Sequence, residues 1–160
     1  HTQARIVDTR KTTPGFRTLE KYAVRMGGGL NHRQNLSDGI LIKDNHRQTL
    51  SKQGLDLKDV ILKAIGNASH TIKVEIEVET IADVKIALEA GAGIIMFDNM
   101  NLSDMASAVA ICKGKAITEA SGGINLSSVK DVAETGVDLI SVGAITHSAP
   151  NLDLSMDIKN

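Results

Sequence analysis

The chain has 160 residues, 42% hydrophobic and 23% charged, the size and composition of one folded domain, which excludes a disordered segment. Aromatic residues make up only 2%, with no Trp, and the formal net charge is −1, so the chain lacks both the stacking faces and the long-range positive field of a nucleic-acid binder. No run of about 18 apolar residues suggests a membrane span, the single Cys112 excludes an internal disulfide and points to the cytoplasm, and an opening His1 in place of Met reads as a piece of a longer protein.

Short β-branched runs alternate with amphipathic stretches along the chain, as βα units around a parallel sheet do. Residues 5–8 predict a first strand and about 16–26 a helix. Residues 39–42 are the second strand, and 57–65 place Val60, Ile61, Ala64 and Ile65 at helical spacing. Residues 72–78 predict a third strand, followed by a helix over 81–90 with Thr80 as N-cap and Gly91 as terminator. The nearly all-apolar run 93–97 suits a strand buried on both faces. Asn101 or Ser103 caps the helix after it, which ends near Lys113-Gly114. Residues 116–119 and 137–141 predict the last two strands, separated by a helix over about 126–135 that Gly136 closes. The tail 152–158 alternates apolar and polar residues, the pattern of a half-buried strand. About six parallel strands fall short of the eight of a closed barrel, so the expected fold is α/β, an open or incomplete (β/α) barrel.

Loops after the C-terminal ends of parallel strands build active sites, and here they are charged or glycine-rich. Arg10, Lys11, His32, Arg33 and Lys43 collect cationic groups at strand ends and after Gly27-Gly28-Gly29, where they suit carboxylates and phosphates. Ser121-Gly122-Gly123, before a helix expected to open near Asn125, offers backbone N–H groups to a phosphate, and Val142-Gly143-Ala144 repeats the arrangement one unit later. Glu77 and Asp98 stand on adjacent strand units. They suit ribose hydroxyls or a hard cation such as Mg²⁺, an ion pair of Glu77 with Lys43 being the competing account. Glu75 shares a face with Glu77 by parity, and parity cannot choose between them. His46, His70 and His147 show no metal-ligand spacing, and Cys112 reads as core.

Asp8-Thr9-Arg10-Lys11-Thr12-Thr13-Pro14-Gly15-Phe16-Arg17, Gly27-Gly28-Gly29-Leu30-Asn31-His32-Arg33 and Leu41-Ile42-Lys43-Asp44-Asn45-His46 closely resemble the quinolinate phosphoribosyltransferase family. Glu75-Ile76-Glu77-Val78-Glu79, Phe97-Asp98-Asn99, Glu119-Ala120-Ser121-Gly122-Gly123-Ile124 and Ser141-Val142-Gly143-Ala144-Ile145-Thr146-His147-Ser148 continue the match in order. The resemblance implies a Mg²⁺-dependent transfer of the phosphoribosyl group of phosphoribosyl pyrophosphate to quinolinate with loss of CO₂, giving nicotinate mononucleotide and pyrophosphate for NAD biosynthesis. It places Arg10, His32 and Arg33 on the quinolinate carboxylates and Lys11 and Lys43 between quinolinate and the phosphoribosyl group. It gives Glu77 and Asp98 the ribose hydroxyls and metal, resolving the choice against Glu75, and gives the backbone of Ser121, Gly122, Gly123, Gly143 and Ala144, with Val142 beside them, the 5′-phosphate.

The resemblance also implies a homodimer or higher homo-oligomer, an absent N-terminal domain, and a further Arg reaching the site from that portion across the dimer interface. Residues 1–149 then form the catalytic domain and 150–160 a tail strand returning to the missing domain, with apolar surface exposed in its absence. A nicotinate phosphoribosyltransferase or a molybdate-system relative would keep the phosphate loops but change the carboxylate pocket. From other classes, Lys43 or Lys11 could be a Schiff-base lysine of an aldolase, or the chain a noncatalytic phosphate-binding module.

Overall fold

Six parallel strands form one sheet in the computed structural model, which describes residues 2–158; His1 and the last two residues of the 150–160 tail lie outside the described residues. The strands are β1 (Arg5–Val7), β2 (Ile40–Ile42), β3 (Val74–Val78), β4 (Ile94–Asp98), β5 (Ile117–Ser121) and β6 (Leu139–Ser141). The helices are α1 (Arg17–Met26), α2 (Asp44–Ser51), α3 (Leu57–Asn67), α4 (Ile81–Glu89), α5 (Leu102–Cys112), α6 (Val129–Glu134) and α7 (Ala144–His147). The strand order is β1-β6-β5-β4-β3-β2, so the sheet is an open barrel with β1 and β2 at its edges, as expected. At the β1 edge Leu30 lies parallel to the strand, its N–H donating to the Ile6 carbonyl at 2.8 Å and its carbonyl accepting from the Asp8 N–H at 3.1 Å.

The sheet's two faces separate by residue parity. In β3, Val74, Ile76 and Val78 are buried in the helix-covered core, which they share with Ile95, Phe97, Ala120, Ile140, Val84, Ala87, Met105 and Ala108. The intervening Glu75 and Glu77, with Met96, Glu119 and Ser141 from the neighbouring strands, face the other way, because side chains alternate along a strand. Local signals close the helices: the Thr80 hydroxyl accepts from the Asp83 N–H at 3.1 Å, and Asn101 Oδ1 accepts from the Asp104 N–H at 2.9 Å. Ser103 is not the cap but supports it, donating its hydroxyl to Asn101 Oδ1. Gly91 and Gly136 end their helices at φ of +85° and +89°.

Three expectations change. Helix α2 begins directly after Lys43, so Asp44-Asn45-His46 is a helical turn rather than a loop; its sequence contains one Leu and no apolar stripe by which to recognise it. Helix α6 starts at Val129, not near Asn125, because Asn125 Oδ1 accepts from both the N–H and the hydroxyl of Ser127 and holds the chain in turns up to Ser128. The tail is not a half-buried strand: residues 151–158 join no sheet, and Leu152, Leu154, Met156 and Ile158 are all more than 80% exposed. Alternation prepares an apolar face, but a strand also needs an edge to pair with.

Apolar surface is exposed elsewhere too. Helix α1 buries Lys21 and turns Leu19, Tyr22 and Met26 outward. Among the described residues no helix is long and apolar enough to cross a membrane. Phe97, with no exposed surface, sits in the centre of the helix-covered core. Phe97→Ala should lower the unfolding free energy by about 3–5 kcal/mol in chemical denaturation.

Candidate active site

A cavity of about 230 Å³ opens at the C-terminal ends of the strands. Of the residues singled out from sequence, Arg10, Lys11, His32, Arg33, Lys43, Glu77 and Ser121 line it. Asp98 stands at the end of β4 on the same side of the sheet as Met96, which also lines the cavity. Gly122, Gly123, Val142 and Gly143 follow the ends of β5 and β6 and Ala144 opens α7, all outside the cavity wall.

The cations come from three segments: Arg10 and Lys11 from the loop after β1, His32 and Arg33 from the stretch beyond Leu30, and Lys43 from the end of β2. Arg33 reaches the Gly39 carbonyl at 3.0 Å. Burial, then the nearby charge of Arg10, lowers its pKa, and both side chains line the same cavity. Arg10 Nε is buried and has no acceptor among the described residues. An anion between the two would satisfy that donor and relieve the repulsion.

Glu77 accepts an ion pair from the Lys43 ammonium, the alternative that the sequence had left open. Both side chains remain on the cavity wall. Below them lies a cluster that sequence reasoning did not assemble. His32 Nε2 stands 3.1 Å from Glu75 and 3.7 Å from Glu119, and Glu119 accepts a hydrogen bond from the Ser141 hydroxyl at 2.7 Å. Residue parity puts Glu75 on the same face as Glu77, whereas Glu119 and Ser141 are legible only as members of strand-end motifs. One polar side-chain atom from each of His32, Glu75 and Glu119 lies within 4.8 Å of the others.

Ionisation in this cluster follows from its burial. Desolvation, reinforced by the neighbouring Glu75 charge, pushes the Glu119 carboxyl up to about 7. Desolvation alone would lower the His32 pKa, but the hydrogen bond to Glu75 and the charges of Glu75 and Glu119 outweigh it and raise it. Cys112, the last residue of α5 and away from the cavity, is pushed up to about 11 by burial, as befits a core residue.

The glycine turns are shaped by close approach. A Cβ on Gly122, at φ +100°, would stand 2.2 Å from Asn99 Oδ1, so the ends of β4 and β5 meet only with glycine there. Asn99 itself adopts φ of +52° and donates to the Asp98 carboxylate at 3.1 Å. Among the described residues the N–H groups of Gly122, Gly123, Gly143 and Ala144 make no hydrogen bond and remain available to an anion. Val142 differs from its expected role: its N–H donates to the Val7 carbonyl at 3.0 Å and its side chain is buried, because it continues the β1–β6 ladder.

Residues 1–157 match the family model described as quinolinate phosphoribosyl transferase, C-terminal domain. The chain is 47% identical to the probable nicotinate-nucleotide pyrophosphorylase (carboxylating) of Bacillus subtilis over 98% of its own length and 53% of that protein. With the corresponding protein of Methanothermobacter thermautotrophicus the identity is 42%, over 97% and 56% of the two lengths. The crystal structure of nicotinate-nucleotide pyrophosphorylase from Ehrlichia chaffeensis superposes with a TM-score of 0.91 at 41% identity, covering 99% of this chain and 56% of that one. The chain thus spans about half the length of the curated relatives it matches.

Glu119 ties stability to pH. The folded protein keeps its proton to about pH 7, whereas an unfolded glutamate ionises near about 4.3. Between those values the unfolded chain binds fewer protons, so stability falls as pH rises, by about 1.4 kcal/mol per pH unit at the steepest. The raised His32 pKa acts in the same direction, its stabilisation being present at acid pH and lost as pH rises through the folded value. Glu119→Gln should flatten the fall in thermal midpoint between about pH 5 and about pH 7 relative to the unsubstituted protein in paired calorimetric scans; an unchanged slope would contradict the assignment.

Proposed function

The chain belongs to the quinolinate phosphoribosyl transferase family, whose C-terminal domain it carries, and on that footing we propose that it is the catalytic half of an enzyme that transfers the phosphoribosyl group of phosphoribosyl pyrophosphate to quinolinate. The products are nicotinate mononucleotide, pyrophosphate and CO₂, in NAD biosynthesis. The observation that carries this reading is the presence of Arg10 and Arg33 on one cavity, with the buried Nε of Arg10 lacking an acceptor among the described residues. Two guanidinium groups on one cavity suit a substrate with two carboxylates better than one with a single carboxylate.

His32 completes the carboxylate pocket, and Lys11 and Lys43 stand where the dicarboxylate meets the phosphoribosyl donor. The unpaired N–H groups of Gly122, Gly123, Gly143 and Ala144, beside Ser121, hold the 5′-phosphate. Glu77 and Asp98 face the ribose hydroxyls, and their negative charge stabilises the oxocarbenium character that develops as the glycosidic bond to pyrophosphate breaks. Oxygen-only donors on adjacent strands also fit Mg²⁺, which takes few protein ligands and keeps several waters. When bound, the metal would neutralise charge on the pyrophosphate leaving group. Ribosylation makes the pyridine nitrogen cationic, and that charge stabilises the electron pair left on the adjacent ring carbon when CO₂ departs, until a proton from solvent water replaces the lost carboxylate. Positioning and electrostatics, without a covalent nucleophile, account for the rate.

We also carry as part of this proposal a cytoplasmic location and a homodimer or larger homo-oligomer. Residues 1–149 are the catalytic domain, and the 150–160 tail returns to an N-terminal domain. That domain and a neighbouring subunit complete the site, so the 160 residues alone should be inactive or weakly active. The test is Mg²⁺-dependent pyrophosphate release from phosphoribosyl pyrophosphate, driven by quinolinate, in the longer parent chain; no release would refute the reading, as would full activity of the isolated 160 residues for the completed-site claim. In the same assay Arg10→Ala should raise KM for quinolinate by about tenfold or more, the value of one lost charged contact, and an unchanged kcat/KM would remove Arg10 from the pocket.

A further inference from the structure

A deeply buried ion pair lies beside the cavity, not in it. Asp8 and Lys21 are 0% and 2% exposed and form an ion pair between the end of β1 and the inward side of α1. Their remaining bonds converge on one short stretch of backbone. Asp8 Oδ1 accepts from the His32 N–H at 2.8 Å, and Lys21 Nζ donates to the His32 carbonyl at 2.9 Å. Asn31 Nδ2 donates to Asp8 Oδ2 at 2.5 Å and to the Lys21 carbonyl at 2.8 Å. Both backbone polar groups of His32 are therefore held by the pair.

Stability is a weak reason for such a pair, since desolvating two ions consumes most of their attraction and an apolar substitute often serves as well. Geometry supplies a stronger one. Asp8 is two residues from Arg10, and the residues that it and Lys21 grip lead directly to Arg33. We propose that the Asp8–Lys21 pair is a positioning element that sets the Arg10–Lys11 arm of the pocket against the His32–Arg33 arm and thereby selects a ligand carrying two carboxylates over one carrying a single carboxylate. The inference rests on the quinolinate reading above and adds residues that do not themselves touch substrate.

Lys21→Met alone leaves Asp8 buried without its partner and should lower the thermal midpoint. Asp8→Asn combined with Lys21→Met removes both charges, keeps an acceptor for the His32 N–H and should recover most of that midpoint. In the parent chain the double variant should nonetheless show KM for quinolinate raised about tenfold, with kcat and KM for phosphoribosyl pyrophosphate changed less than about threefold. Its preference for quinolinate over nicotinate should narrow by about the same tenfold. A recovered midpoint with unaltered KM and preference overturns the inference and leaves the pair a purely structural one. If the double variant does not fold, Lys21→Arg, which keeps the charge but not the single-atom reach to both Asp8 and the His32 carbonyl, must show the same KM rise; wild-type KM there overturns the inference equally. Absence of pyrophosphate release by the unsubstituted parent chain defeats the activity reading and this inference with it, whereas an active parent with unaffected variants defeats only the inference.

Discussion

Charge held out of water must be balanced at contact distance, because lost hydration is recovered only from an adjacent partner. The inner face of this sheet and the end of β1 are organised by that constraint. Asp8 is matched by Lys21, Glu77 by Lys43, and Glu75 by His32. Glu119 has no cation of its own and is instead held towards its neutral form. Once these are matched, Arg10 and Arg33 stand together on the cavity, and their mutual repulsion is left for a ligand to resolve.

The parallel sheet makes this arrangement possible at small expense to the core. Alternation sends Val74, Ile76, Val78, Ile95, Phe97 and Ile140 to the helix-covered side and reserves the opposite side for polar residues. An aliphatic core with little aromatic content is sufficient because a single layer of helices packs on one apolar face. The open edge between β1 and β2 has a consequence for the site. Leu30 runs alongside β1, and the residues after it bring His32 and Arg33 to the cavity from a segment that belongs to none of the six strands.

Much of this was legible from residue order. β-branched runs locate the strands, residue type marks Thr80 as one cap and Asn101 or Ser103 as another, and parity puts Glu75 and Glu77 on one face. Less was legible where the signal depends on partners. Helix α2 has no apolar stripe, and α6 is shortened by side-chain bonds of Asn125 that compete with the helix. The tail carries strand alternation with no edge to join. Val142 read as a phosphate loop residue, yet its N–H belongs to the ladder with Val7, a pairing between residues far apart in sequence. Lys21, on a helix whose apolar residues look outward, gave no sign of being buried.

Sequence by itself determined the class of fold, the family and the residue types gathered at the strand ends, because periodicity and motif order are properties of neighbours along the chain. Only the tertiary structure decided which charges are paired and which remain unsatisfied. That Glu77 faces Lys43, that Glu119 stands 3.7 Å from His32, and that Asp8 and Lys21 hold the backbone of His32 all depend on distances across the sheet. Electrostatic energy falls off with separation in space and is indifferent to separation in sequence, so the charge balance that governs this site becomes visible only once the strands are laid side by side.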